Sequence, residues 1–269
     1  RNQCPCQHAA RDKDQYRAHI RVNTFATGLA MKSFNIAAPH GDGACVSSIR
    51  IGVIDIGSNS VRLVVFDGTM QCPVYIHNEK VSCGLGIGLS QTRHLNPAGK
   101  PRALAAIERF VALARHMRAT PIFAVATAAV RDATDGADFK QQVLDRTGVD
   151  ISILDGAAEA RLSAQGVLLG WPDAQGVMCD MGGSSVELAT LDGRGGIGGG
   201  QTSNLGPFKL MAMREQGKNL RPYIKKAVET LVADFPVRPP HLFLVGGSWR
   251  AIGKVDMARR DYPLTLTHG

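Results

Sequence analysis

The sequence predicts an α/β protein with mixed sheets, built on a duplicated unit. Short apolar, β-branched runs alternate with segments whose apolar residues recur at helical spacing. The strands that open each half are joined by links too short for a crossover, so they form hairpins, and the sheets are mixed rather than parallel. VIDIGSNSVRLVV and MCDMGGSSVELAT superimpose with Asp on Asp, Gly on Gly, Ser on Ser, Val on Val and Leu on Leu, which makes Asp55 and Asp180 equivalent. An internal repeat of this kind points to a duplicated domain.

The elements follow in order. IRIGVIDIG, from Ile49, is a strand with a glycine stop, and GSNS turns it into VRLVVFDG. PVYIHNEKVS is a third strand, followed by the glycine-punctuated loop CGLGIGLSQ. From Pro101 to Met117, Leu104, Ile107, Phe110, Val111 and Ala114 mark an amphipathic helix. IFAVAT is a buried strand, ADFKQQVLDRT a helix stopped by Gly148, DISILDG a strand and AAEARLSAQGVLLG a helix. GVMCDMGGSSVELATL then repeats the opening hairpin. GRGGIGGGQ reads as a glycine-rich loop. Helices near Leu205–Met213 and Leu220–Phe235, the strand HLFLV and a helix opened by Gly246-Gly247-Ser248 complete the chain. Residues 1–48 show no sustained periodicity beyond the loop Pro39–Gly43. They are read as an unassigned segment, disordered or extraneous, with Met31 as a candidate start.

Of the 269 residues, 44% are apolar and 20% charged, a balance that supports a sizeable core and excludes wholesale disorder. The longest apolar run, Ile122 to Val130, is too short to span a membrane. The N-terminal stretch has no apolar h-region, so no signal peptide is expected. Six cysteines are too sparse for a disulfide scaffold, and a cytosolic protein with reduced thiols is expected. Cys4-Pro5-Cys6-Gln7-His8 lacks the second ligand pair that a zinc finger needs. The net charge is +8, and residues 1–50 hold seven Lys/Arg against three Asp/Glu. A basic protein favours polyanions such as nucleic acid, nucleotide or polyphosphate. Aromatics are only 6% and do not interleave with basic runs, which argues against a nucleic-acid module.

Each repeat carries an Asp at a strand end, a Gly/Ser turn and a second strand. Such a turn lets backbone N–H groups converge on phosphate oxygens, with the hydroxyls of Ser58, Ser60, Ser184 and Ser185 as further donors. Two matching turns, with VGGSWRAI as a third loop, would clamp a phosphate chain. The carboxylates are suited to Mg²⁺, directly or through water. Glu187 is either a second carboxylate near the metal or a solvent-facing strand residue, and the first repeat has Arg62 there. Arg131 follows a buried strand, placed to fork onto phosphate or to pair with Asp132 or Asp135. Glu159, on a first helical turn, reads from spacing alone as a carboxylate that favours the helix dipole. No G-x-S-x-G elbow, P-loop or HExxH pair occurs, so serine hydrolase, P-loop NTPase and zincin chemistries are not indicated. His116 reads as a surface residue and Cys179 as a packed apolar side chain.

VIDIGSNSVRLVV, ATAAVRDATDGADF, LDGAAEARLSAQGV, CDMGGSSVELA and VGGSWRAIGKVD together resemble the exopolyphosphatase / guanosine pentaphosphate phosphatase family of the actin-like phosphotransferase superfamily. The resemblance runs from about residue 49 to the end, in register. It implies two ribonuclease-H-like (actin-like ATPase) domains, 49–156 and 157–269, with the active site in the cleft between them. It implies hydrolysis of the terminal phosphoanhydride of polyphosphate, or of the 5′ γ-phosphate of pppGpp, using Mg²⁺, with Mn²⁺ as the substitute. Gly57, Ser58 and Asn59 resemble the first phosphate loop, and Gly182, Gly183, Ser184 and Ser185 the second. Asp180 and Glu187 look like the metal-side carboxylates, with Asp55 nearby, Arg131 like the phosphate clamp and Glu159 like the general base.

The sequence departs from the family at Ala158, where many members are acidic, and at Asp135, where Asn is common. Many relatives also continue into a helical C-terminal region that extends the channel and helps them dimerise. Here the second half reads either as a fragment of a longer chain or as a naturally short form, which leaves processivity and a homodimer open. No nucleic acid or membrane partner is expected. The competing readings are a small-molecule kinase of the same superfamily, which would need an adenosine pocket at Gly246-Gly247 and a sugar-binding insert, and an inactive polyphosphate-binding module.

Overall fold

The computed structural model describes residues 50–69, 72–235 and 239–263. The Cys4–His8 cluster, the loop Pro39–Gly43, Met31 and the final residues 264–269 lie outside the described residues.

The first sheet starts with β1 (Ile51–Ile56), β2 (Ser60–Thr69) and β3 (Cys72–Ser82), an antiparallel meander. Parallel strands β4 (Ile122–Ala126) and β5 (Ile151–Ile153) extend it beyond β1, giving the order β3-β2-β1-β4-β5. Between β3 and β4 come the short α1 (Leu89–Thr92) and the long α2 (Gly99–His116). Between β4 and β5 come α3 (Ala128–Asp132) and α4 (Gly136–Thr147). The apolar residues read from the sequence as one helical face are those α2 buries: Leu104, Ile107, Phe110, Val111 and Ala114. They pack on Ile54, Ile56, Val61, Leu63 and Val65, the alternate residues of the first hairpin. Asp55 has the opposite parity, so its side chain leaves the core face.

The second sheet repeats the scheme. Strands β6 (Gln175–Met181), β7 (Val186–Asp192) and β8 (Ile197–Ser203) form an antiparallel meander, and β9 (Leu242–Val245) adds to β6 in parallel. The order β8-β7-β6-β9 is that of the first four strands of the first sheet. Helix α5 (Gly156–Gly170) covers one face with Ala160, Ala164 and Val167, against Met178, Ala189 and Leu191. On the other face Val177, Cys179, Val186 and Leu188 meet residues of α6 (Pro207–Glu215) and α7 (Leu220–Leu231). Helix α8 (Gly247–Arg259) follows β9.

Three readings change. The glycine-rich segment 193–201 is largely strand: β8 begins at Ile197 and pairs with β7. Its glycines mark a close approach, not a loop, since a Cβ on Gly200 would stand 3.0 Å from the Ala160 Cβ of α5. The stretch AAVRD after β4, assigned no helix from the sequence, winds into α3. Helix α7 stops at Leu231, short of Phe235. Cys179 is buried, as a packed side chain should be, and His116 is exposed. Cys83 and Cys179 are free thiols. Among the described residues no helix is long and apolar enough to cross a membrane.

Candidate active site

The two hairpin turns are built alike. In the first, the N–H of Gly57 donates to the Ser60 carbonyl at 3.0 Å; in the second, that of Gly182 donates to the Ser185 carbonyl at 3.0 Å. Asp55 stands opposite Arg62 in the register, and Asp180 opposite Glu187. The turns also lie against each other: a Cβ on Gly183 would meet the Ser58 Cβ at 3.1 Å and the Phe208 ring at 3.0 Å. The segment after β3 holds the first turn from behind, with the Cys83 and Gly84 N–H groups on the Asn59 carbonyl and that of Gly86 on the Ser58 carbonyl. Of the third loop, the Ser248 hydroxyl donates to the Gly182 carbonyl at 3.4 Å.

Asp180 and Glu187 share the parity of Met178 and Ala189, so both point to the face covered by α5. Helix α5 starts at Asp155, whose carboxylate accepts from the Ala158 N–H at 2.7 Å, and this cap fixes the first turn that carries Glu159. One turn later, the Ser163 hydroxyl donates to Asp180 Oδ2 at 2.5 Å. The Thr202 hydroxyl on β8 donates to Glu187 Oε1 at 3.0 Å. Glu187 is fully buried, and its Oε2 has no hydrogen-bond partner. From α3, Arg131 Nη1 donates to Glu159 Oε2 at 3.3 Å and to the Leu154 carbonyl at 3.0 Å, while Nε donates to Asp132 at 3.1 Å. Arg131, Glu159, Asp180 and Glu187 therefore form one group assembled from four elements.

The group carries more negative than positive charge, and its proton affinities show it. Burial, and then the charge of Glu187, push the Glu159 carboxyl well up, against the pull of Arg131. Burial pushes Glu187 up too, opposed by hydrogen bonds from Ser185 and Thr202 and reinforced by Asp180. Asp180 is raised by burial, against the Ser163 hydrogen bond and the charge of Arg250. Asp55 keeps solvent access yet is closely surrounded; burial raises it to about 6, with Asp180 adding to the rise and Arg62 and Lys80 opposing it.

Placed against the sequence reading, Glu187 is no solvent-facing strand residue. Arg131 pairs with Asp132, as its alternative reading had it, but also with Glu159. Ser58 and Ser185 are both buried, so the turn hydroxyls are less open than their number suggests. Ser163 and Thr202 were missed. Ser163 was legible in principle, four residues after Glu159 and so on the same helical face; Thr202 lay hidden behind the loop reading of β8. A polar cavity of about 450 Å³ opens beside the group, lined by Arg93, Arg131, Asp132, Thr202, Ser203 and Asn204. Another, of about 510 Å³, lies by the Lys100–Asp135 pair and contains none of the grouped residues.

Among the described residues no three His, Cys, Asp or Glu side chains gather closely enough to hold a metal by themselves. The donors present still suit a hard cation. Asp180 and Glu187 offer carboxylate oxygens side by side, one of them buried without a partner. Mg²⁺ takes one or two such carboxylates and completes its shell with water and substrate phosphate.

The sequence matches the model of the Ppx/GppA phosphatase family over residues 48–269. Exopolyphosphatase 1 of Mycobacterium tuberculosis is 30% identical over 145 residues, covering 53% of this chain and 42% of that protein. Exopolyphosphatase 2 of the same organism is 31% identical over 150 residues, covering 52% and 47%. These matches span less than half the length of the curated relatives. An exopolyphosphatase structure from Cytophaga hutchinsonii superposes with a TM-score of 0.70 at 24% identity, covering 80% of this chain and 72% of that one. A Ppx/GppA family member from Aquifex aeolicus gives 0.64 at 20% identity, covering 81% and 72%. At these identities the two structures speak for the fold.

Proposed function

This chain belongs to the Ppx/GppA phosphatase family of the actin-like superfamily, and on that premise we propose that it hydrolyses the terminal phosphoanhydride of inorganic polyphosphate, releasing orthophosphate. The observation that carries the proposal is the Asp180–Glu187 pair, with Glu187 fully buried and one of its oxygens unpartnered, beside the Glu159–Arg131 pair. We further propose that residues 49–156 and 157–269 are two domains, with the substrate entering between them. The shared strand order of the two sheets and their separate cores support that division.

The roles follow from chemistry. Asp180 and Glu187 would hold Mg²⁺, with Asp55 nearby, and the ion when bound would neutralise charge on the phosphoryl oxygens. The Gly57 and Gly182 N–H groups close the two turns, and the remaining turn N–H groups, of Ser58 and Asn59 and of Gly183, Ser184 and Ser185, orient the chain end. Arg131 forks onto the terminal phosphate. Glu159 accepts a proton from the attacking water, and a carboxylate raised by burial is a stronger base than a solvated one. Its hydrogen bond from Arg131 favours the ionised form the step needs.

The test is orthophosphate release from long polyphosphate, tripolyphosphate and pppGpp, with and without Mg²⁺. A kcat/KM for polyphosphate above that for pppGpp supports the proposal. The reverse order assigns the protein to pppGpp 5′-phosphohydrolysis, and no release from any of the three refutes the hydrolase reading.

A further inference from the structure

The cavity beside the acidic group holds a second arginine to which no role has yet fallen. Arg93 caps the four-residue helix α1 in the left-handed region, at φ 62°, with its N–H on the Leu89 carbonyl at 2.9 Å. A Cβ is crowded in that conformation, and glycine is the usual occupant of such a helix end. Strain of this kind persists where the surroundings impose it and points to a functional constraint. Here the surroundings are specific. Both the N–H and the hydroxyl of Thr134 donate to the Arg93 carbonyl, each at 2.9 Å. Thr134 lies three residues beyond Arg131, so this staple ties the backbones carrying the two arginines together. Arg118 is also left-handed, after α2, but it does not line this cavity.

The chemistry of the cavity is that of an anion site. Arg93 and Arg131 line it together with Thr202, Ser203 and Asn204, and the Thr202 hydroxyl donates to Glu187. Its carboxylate, Asp132, is paired with Arg131, and among the described residues no carboxylate pairs with Arg93. One anion at Arg131 would leave the Arg93 guanidinium unmatched; a chain of linked phosphates would meet both.

We infer that Arg93 binds the phosphate next to the one that is cleaved, so that the protein reads its substrate as a phosphate chain and not as a single terminal phosphate. The inference rests on the phosphohydrolase reading above and deepens it. The ligand chemistry is a linear phosphate chain, whether inorganic or attached to a nucleoside.

The experiment uses the full chain carrying Glu159→Gln, so that binding is read in Mg²⁺ without turnover. Calorimetric titration with orthophosphate, tripolyphosphate and pppGpp compares this parent with the same chain bearing Arg93→Gly or Arg93→Lys. Arg93→Gly is expected to weaken tripolyphosphate about tenfold, as the loss of a charge-assisted contact does, and to leave orthophosphate unchanged. It should also raise Tm by about 2–4 °C, because glycine relieves the left-handed strain. Arg93→Lys should restore part of the affinity without raising Tm. An equal loss for pppGpp means that the phosphates alone are read; a loss for tripolyphosphate without one for pppGpp assigns the site to the inorganic chain. Equal tripolyphosphate affinity in Arg93→Gly and the parent overturns the inference, as does a matching loss for orthophosphate or a parent that does not bind tripolyphosphate. Phosphate release by the otherwise native chain is scored separately: absence of release with the binding pattern intact removes the hydrolase reading and leaves the chain-binding site standing.

Discussion

The β1–β2 and β6–β7 hairpins are the same device with different chemistry. Both close a Gly/Ser turn with one backbone hydrogen bond of 3.0 Å, and both place an aspartate before the turn. In the first, the residue across the ladder is Arg62, whose guanidinium also donates to Asn78 at 2.8 Å, and Asp55 keeps access to solvent. In the second, it is Glu187, fully buried under α5, so two carboxylates share one face with few cations to balance them. A turn that can present N–H groups to phosphate is thus repeated twice, while the capacity for a cation is concentrated in one copy. The difference comes from one residue type across the strand and from the helix laid over it. Burying a carboxylate beside another carboxylate is costly, and a protein retains such a pair where something else repays the cost.

The largest test of this contrast lies next to the second hairpin. Glu159→Gln keeps the shape of the side chain but cannot accept a proton. We expect kcat for phosphate release to fall by about 10²–10⁴ with KM nearly unchanged; a kcat within about threefold of wild type would return Glu159 to a helix-start carboxylate.

The metal-side residues separate the hairpins directly. Asp180→Asn and Glu187→Gln should each weaken Mg²⁺ activation by about 10–100-fold. Asp55→Asn, in the arginine-balanced copy, should weaken it less. Mg²⁺ titrations of activity decide this, and equal sensitivity in all three would erase the distinction between the copies.

Arg131 comes next. Arg131→Ala should raise KM for polyphosphate by about tenfold or more, the loss of hydrogen bonds to a charged group. Arg131→Lys should recover only part of it, because a point charge does not reproduce the fork. A wild-type KM in Arg131→Ala would remove it from the site.

The smallest effect is on stability. Burial holds protons on Glu187 and Asp55 in the folded state at pH values where the unfolded chain has released them. Folding then binds protons, so stability of the metal-free protein falls as pH rises from the ordinary carboxylate range through about 6 for Asp55, and higher for Glu187. Thermal melts between pH 5 and 8 in EDTA should show this decline. Glu187→Gln should flatten it and raise Tm at pH 8 by about 2–4 °C. Mg²⁺ at pH 8 should stabilise the native chain more than the variant. A melt independent of pH would mean that Glu187 and its neighbours pair more completely than their geometry shows.

What the sequence by itself determined is what neighbours along the chain decide. The strands of both hairpins, the face buried by α2, the stop at Gly148 and the equivalence of Asp55 with Asp180 follow from alternation, helical period and turn chemistry, all local interactions. The tertiary structure decided what depends on residues far apart in sequence. Residues 197–201 became strand because α5 lies where glycine side chains are missing and β7 offers a ladder, and no local rule favours a strand of glycines. Glu159 looked like a helix-start carboxylate until Arg131, Asp180 and Glu187 came up beside it, and spacing alone left Glu187 open between a solvent-facing strand residue and a second carboxylate near the metal. Proton affinity and ion pairing fall off over a few ångströms and depend on what has been removed from water. The residues that set them here come from α3, α5, β6, β7 and β8, elements far apart along the chain, and only the tertiary fold brings them within reach of one another.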